Sequence, residues 1–241
     1  MIYLDNAATS FHKPDCVPRA VVEAMQHAGN SGRGSSGEAM AASRLIFNTR
    51  CQIAEMFDVW GPECVAFTSN DTEALNIALQ GTLHPEEETI HAICTEMDHN
   101  SVLRPLYRLE KKGMELTILP ADRKGRISLT ELEAAIRPET KVIVCTHASN
   151  LTGNLNDIHA IGAIAQKHQK LFIVDAAQTA GVFPISMKKD HIDILCFSGH
   201  KGLMGPQGTG AICVRPGVSV EPLKVGGSGV LTFQREHPQD M

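Results

Sequence analysis

The sequence predicts an α/β fold in which a mostly parallel, mixed sheet is sandwiched by helices, on three observations. From residue 64 onward, short β-rich runs alternate with segments of helical period, the pattern of crossover connections. The runs are apolar enough for buried strands, as in Val142-Ile143-Val144-Cys145 and Ile194-Leu195-Cys196-Phe197. Several end abruptly in polar residues, and ligands of open α/β sheets collect outside the carboxyl ends of strands.

Taken in order, Pro14 to Ala28 and Gly37 to Phe57 read as two longer helices, joined by the Gly/Ser-rich stretch Gly29 to Gly37. Strands are expected at Cys64 to Thr68, Thr89 to Thr95, Met114 to Leu119, Lys141 to Thr146, Leu171 to Asp175, Ile192 to Ser198 and Thr209 to Val214. Between them, Thr72 to Gly81, Ser101 to Lys112, Leu129 to Ile136 and Ile158 to His168 each carry an apolar stripe, and Gly113 supplies a C-terminal stop. After Val225 the chain runs through Gly226-Gly227-Ser228-Gly229 to Gln234-Arg235-Glu236-His237-Pro238 without a closing helix or strand, and reads as cut rather than finished.

Composition excludes several function classes. With 241 residues, 43% of them hydrophobic, the chain can bury a substantial core. The net charge of -5 comes from acids and bases mixed along the chain, which argues against a nucleic-acid partner. Asp5 stands where a secretory signal needs apolar residues, and no apolar run approaches the ~20 residues that span a bilayer. A cytoplasmic protein with no membrane contact is expected. The seven cysteines include no C-x-x-C pair, and four sit in apolar runs, as core thiols of a reducing compartment do. No metal site is expected, because ligand spacing is missing and the eleven histidines form no H-E-x-x-H.

The chemistry gathers at the strand ends. Leu171 to Val174 leads into Asp175-Ala176-Ala177-Gln178, which puts a carboxylate at the mouth of the sheet. Burying it costs several kcal/mol unless a cation or a protonated ring nitrogen meets it. The next strand ends in Ser198-Gly199-His200-Lys201-Gly202, where a lysine hemmed by glycines is a candidate for Schiff-base chemistry. Ser198 and His200 beside it are suited to phosphate oxygens. Phe67-Thr68-Ser69-Asn70-Asp71-Thr72-Glu73 is a strand, a polar turn and the first turn of a helix, a place where free amides bind phosphate. Glu96-Met97-Asp98-His99-Asn100 brings an imidazole that could stack on a flat ring or move protons, and Thr146-His147-Ala148-Ser149-Asn150 an amide donor. Singly, Asp175 reads as well as a turn cap, Asp71 or Thr72 as an N-cap, and Lys201 as solvated surface. Together they describe a phosphate cup, a stacking ring, an amide donor, a buried acid and a lysine, the parts of a pyridoxal phosphate site.

Six motifs in order carry a resemblance that covers essentially the entire chain: Tyr3-Leu4-Asp5-Asn6-Ala7-Ala8, the Phe67-to-Ala74 turn, Asp98-His99-Asn100-Ser101-Val102, Ser149-Asn150-Leu151-Thr152-Gly153, Asp175-Ala176-Ala177-Gln178 and Ser198-Gly199-His200-Lys201. The chain resembles class V aminotransferase-fold enzymes, the cysteine desulfurase and selenocysteine lyase group, whose large domain has fold type I. The resemblance implies pyridoxal phosphate as cofactor, Lys201 as its Schiff-base lysine, Asp175 as partner of the pyridine nitrogen, and Gln178 with Asn150 near the ring's phenolic oxygen. It makes His99 the stacking imidazole and a proton carrier, so that Lys201, His99 and Asp175 are the catalytic set. Thr72 and its preceding turn with Asp71, together with Ser198 and His200, match the phosphate cup. The Asn30-to-Gly37 loop resembles a segment near the active site, or is a flexible connector.

The implied organisation is an N-terminal segment and helix over residues 1–30 and a cofactor-binding large domain over 31–241, with the family's C-terminal small domain absent. With it go the substrate-carboxylate arginine and, in desulfurases, the persulfide cysteine. Asp71 also departs from the pattern, since the family usually has a small or hydroxyl residue there. A carboxylate beside a phosphate dianion is repulsive unless it turns away to cap the helix. The implied reaction is sulfur removal from L-cysteine, with a small amino acid as substrate, a sulfur-acceptor protein as a possible partner and a homodimer as the full-length assembly. Transamination or another lyase reaction on the same scaffold, and a non-catalytic fragment or binding module, are the alternatives.

Overall fold

The computed structural model describes residues 2–31, 36–227 and 235. A seven-stranded sheet is built from β1 (Val65–Thr68), β2 (His91–Thr95), β3 (Glu115–Leu119), β4 (Thr140–Thr146), β5 (Leu171–Asp175), β6 (Ile194–Ser198) and β7 (Gly210–Val214). Their order is β1-β7-β6-β5-β4-β2-β3. From β6 through β5, β4 and β2 to β3 every pairing is parallel, whereas β7 runs antiparallel to both β6 and β1. The helices are α1 (Cys16–His27), α2 (Gly37–Met56), α3 (Asp71–Thr82), α4 (Asn100–Glu110), α5 (Leu129–Ala135) and α6 (Ile158–Lys167). The mixed α/β architecture is the one expected.

Alternation along the central strands divides the core into two layers, because successive side chains of a strand point to opposite faces. Ile143 and Cys145 of β4, Phe172 and Val174 of β5, and Leu195 and Phe197 of β6 pack with Phe57 after α2 and with Ile158 and Ile161 of α6. Val142, Val144, Ile173, Ile194 and Cys196 face the other way, onto Leu75 and Leu79 of α3 and Leu106 of α4. Each fully buried Leu, Ile or Phe contributes about 1.5–3 kcal/mol. With both faces of the central strands covered, their ends are where a ligand can enter.

Four strand starts differ from expectation by one residue and two by two residues. Thr89 lies outside β2, and β6 begins at Ile194 rather than Ile192. Asp193 is still held through its backbone, its N–H donating to the Phe172 carbonyl at 2.9 Å and its carbonyl accepting the Arg215 N–H at 2.8 Å. Its carboxylate accepts the Phe172 N–H at 2.8 Å and pairs with Arg215, so a side chain stands in for a ladder bond. Residues 32–35 of the Gly29-to-Gly37 connection and most of the tail after Val225 fall outside the described residues. At the other end of the chain, the Ser10 N–H donates to the His200 carbonyl at 3.2 Å, laying the N-terminal segment across the carboxyl rim of the sheet.

Candidate functional site

At that rim lies a cavity of about 330 Å³. All nine residues singled out from the sequence line it: Asp71, Thr72, His99, Asn150, Asp175, Gln178, Ser198, His200 and Lys201. Asp175 and Ser198 end β5 and β6 and the others follow a strand end, since β1, β2, β4, β5 and β6 end together there.

One wall is the N-terminus of α3. Asn70 is its N-cap, the side chain accepting the Glu73 N–H at 2.8 Å, so the cap is neither Asp71 nor Thr72. The Asp71 and Thr72 amides have no acceptor within the helix and remain for an anion. Glu73 does not oppose one, because its carboxylate is engaged by the Ser69 N–H and hydroxyl, both at 2.7 Å, and by Lys224 at 2.9 Å. Those donors hold it down at a pKa of about 2. The turn sits this deep because β7 begins with a glycine: a Cβ on Gly210 would lie 2.8 Å from the Asn70 carbonyl carbon.

Thr72 is tied sideways to the imidazole. Its hydroxyl meets the Ser101 hydroxyl at 2.8 Å, and the latter meets His99 Nδ1 at 2.9 Å. His99 is the N-cap of α4, and its Nδ1 also accepts the Ser101 N–H at 3.2 Å. A ring nitrogen that accepts carries no proton, so the neutral imidazole bears its proton on Nε2.

Three acids stand behind this wall. Asp98 is buried and accepts from the Thr95 N–H (2.7 Å), the Thr95 hydroxyl (2.9 Å) and the Thr146 N–H. Burial outweighs those donors and pushes its carboxyl up to about 7. Asp175 is 2% exposed, and its Oδ1 accepts the Ala177 N–H at 2.8 Å. Burial raises its pKa, against the Ala177 amide and the charges of Lys201 and His99. Asp71, 6% exposed, is raised well above the carboxylate range by burial and by the Asp175 charge, with Lys201 opposing.

Lys201 follows β6 on a loop pinned by the N-terminal segment. Its carbonyl accepts the Ser10 hydroxyl, and the His200 carbonyl accepts the Thr9 hydroxyl at 3.2 Å. His200 Nδ1 also meets that hydroxyl at 2.9 Å, while burial and the neighbouring Lys201 and Lys13 charges lower its pKa. The Ser198 hydroxyl has no protein partner among the described residues. Gln178 donates to the Ala7 carbonyl at 3.1 Å, which uses an amide hydrogen that the sequence alone leaves free for a ring oxygen. Asn150 keeps its amide at the cavity.

Ser101, Thr146, Ala7 and Ala8 also line the cavity, and sequence reasoning does not single them out. Ser101, Ala7 and Ala8 lie inside the six ordered motifs, but a hydroxyl relay and two backbone contacts leave no residue-type signal. The donor set suits one shape of ligand: a flat ring with a phosphate, an aldehyde for a lysine, and a ring nitrogen for an acid. Asp175 accepts one backbone N–H, that of Ala177, among the described residues.

Comparisons with known proteins agree. A family model described as aminotransferase class-V matches residues 2–239. A cysteine desulfurase IscS of Vibrio atlanticus (strain LGP32) is 36% identical over 232 residues, covering 94% of this chain and 57% of its own length. A cysteine desulfurase of Nostoc sp. is 35% identical over 232 residues, covering 94% and 56%. Among solved structures, SspA in complex with cysteine superposes with a TM-score of 0.89 at 31% identity, over 95% of this chain and 66% of that one. The apo cysteine desulfurase from Thermococcus onnurineus NA1 gives 0.87 at 34%, over 94% and 57%. The chain thus spans just over half the length of the curated relatives it matches.

Proposed function

Because the chain belongs to the class-V aminotransferase family, whose enzymes depend on pyridoxal phosphate, we propose that its cavity holds that cofactor in a cysteine desulfurase. One observation carries the reading: five strand ends deliver the α3 N-terminus, His99, Asn150, buried Asp175 and Lys201 into one cavity. In it, Lys201 is the amine that would hold the cofactor's aldehyde and Asp175 the carboxylate that keeps the ring nitrogen protonated. The Asp71 and Thr72 amides, with Ser198 and His200, would hold the phosphate. When bound, the ring supplies an electron sink for bonds broken at the Cα of an amino acid.

The protein's own residues set the remaining steps. His99 is oriented by Ser101, so its Nε2 proton faces away from the relay and is the one it can exchange. The strap through Thr9 and Ser10 fixes the loop that carries Lys201. Cysteine is the favoured substrate, supported by the desulfurase relatives and by the cysteine complex of one structural neighbour. A sulfur-acceptor protein would then be the partner of the whole protein.

A homodimer and a cytoplasmic setting complete the proposal. Helix α1 buries none of its residues, and Met25 on α1, Leu45 and Phe47 on α2 and Phe67 on β1 are exposed, an apolar surface suited to a second copy. All seven cysteines are unpaired, as in a reducing compartment. No described helix is long and apolar enough to cross a membrane. The test is intact mass after borohydride with added pyridoxal phosphate: wild type gains one reduced cofactor and Lys201→Ala none. An equal mass gain in the two proteins, or none in either, would defeat the cofactor reading; sulfide release from cysteine separates desulfurase from transaminase.

A further inference from the structure

The acid at position 71 departs from the family pattern, and holding a cofactor gives no reason for it. Its carboxyl does not point to solvent and does not cap α3, since Asn70 does that. It is buried, its Oδ1 has no hydrogen-bond partner among the described residues, and it lines the same cavity as Asp175, whose charge opposes its ionisation. Two neighbouring carboxyls, both out of water, favour sharing one proton.

The surroundings decide which acid keeps it. Both acids face Lys201. Asp175 also receives the Ala177 N–H at 2.8 Å, whereas the Asp71 Oδ1 receives no donor among the described residues and lies near the Cys196 thiol of β6. The negative charge is therefore better held on Asp175.

We propose that Asp71 is a positioning residue: a neutral carboxylic acid that donates a hydrogen bond to Asp175 and holds its carboxylate at the end of the cavity where the ring nitrogen lies. This rests on the cofactor reading of Asp175. It also removes the conflict at the sequence level, because a neutral Asp71 at the start of α3 does not repel a phosphate there. The pair then carries one negative charge for one ring cation.

The test uses melting temperature between pH 5 and 7 without cofactor, and pyridoxal phosphate titration followed by absorbance. A carboxyl that keeps its proton in the folded protein loses it on unfolding above its ordinary pKa, so wild-type stability falls as pH rises, and Asp71→Asn, which keeps Asp98, lacks only the part of that fall due to Asp71. The Asn variant should gain on wild type by about 3–5 °C for each pH unit. A constant gap would mean that Asp71 is ionised, and overturns the proposal. In the titration, Asp71→Asn, which can still donate to Asp175, should bind within about threefold of wild type, and Asp71→Ala about tenfold or more weaker. Should the Ala protein not fold, Asp71→Leu takes its place. Equal affinity for Asn and the apolar variant overturns the positioning role. Wild type that takes up no cofactor sinks the reading of Asp175 and the positioning role together, while the cofactor-free arm still decides the shared proton.

Discussion

The Asp98 carboxylate accepts the backbone N–H of Thr146, joining the carboxyl ends of β2 and β4, which carry His99 and Asn150 to the site. The same carboxylate holds the Thr95 amide and hydroxyl, so one buried acid sets the spacing of two strand ends. Asp98→Ala leaves three buried donors without an acceptor and is expected to cost about 3 kcal/mol, read by denaturant unfolding. The acid also gives stability a pH dependence. With its folded pKa near 7 and an ordinary value near ~3.9, the folded protein binds more protons between those limits. Wild type should lose stability as pH rises from about 4 to 7, and its advantage over Asp98→Asn should shrink across that window. An advantage that widens instead would contradict the assignment.

Gly210 links the sheet to the phosphate end. A Cβ there would fall 2.8 Å from the Asn70 carbonyl carbon, the Phe197 carbonyl oxygen and the Thr68 hydroxyl, two of them backbone atoms that cannot swing aside. Gly210→Ala is expected to destabilise by about 1–3 kcal/mol and to push the first turn of α3 outward. Pyridoxal phosphate affinity should drop along with melting temperature, whereas Gly226→Ala, with open space around it and no positive φ, should leave both unchanged.

Ser101→Ala tests the relay between Thr72 and His99. The variant keeps the backbone amide on His99 Nδ1 and removes both hydroxyl contacts. The loss should be about 1 kcal/mol in stability, while turnover falls about tenfold with little change in KM, because proton exchange at His99 is disturbed more than substrate binding. A large rise in KM with unchanged kcat would place Ser101 in binding instead.

The sheet was legible because its strands are continuous apolar runs and its helices carry stripes, signals that survive without tertiary information. The site was legible because chemistry-bearing residues follow those runs directly, and five strand ends reach one cavity. What escaped is set by side-chain traffic that spacing does not encode. Asn70 rather than Asp71 caps α3: both are good caps one residue apart, and the close approach of Gly210 to the Asn70 backbone is invisible to spacing. Asp193 left its strand because its partners, Phe172 and Arg215, come from either side of it in sequence. Gln178 is spoken for by Ala7, 171 residues away along the chain.

The N-terminal segment supplies the last expectation. Thr9 and Ser10 bond the carbonyls of His200 and Lys201, the Thr9 hydroxyl meets His200 Nδ1, and Ala7 takes the Gln178 amide. These contacts cross the whole chain, so they contribute little to local structure and much to the position of the Lys201 loop. Removing residues 2–10 should leave the sheet folded, because none of those residues belongs to either core layer. Gln178, His200 and Lys201 would lose their outer partners. Far-UV circular dichroism should therefore stay unchanged while pyridoxal phosphate binds about tenfold more weakly and hydrogen exchange quickens at residues 199–204. Thr9→Val with Ser10→Ala should reproduce roughly half of the free-energy loss, because it deletes the side-chain bonds and keeps the Ser10 N–H on His200. If the shortened chain binds the cofactor as tightly as the intact one, the strap is packing alone and the Lys201 loop is held by its contacts with β7 and with Ala180.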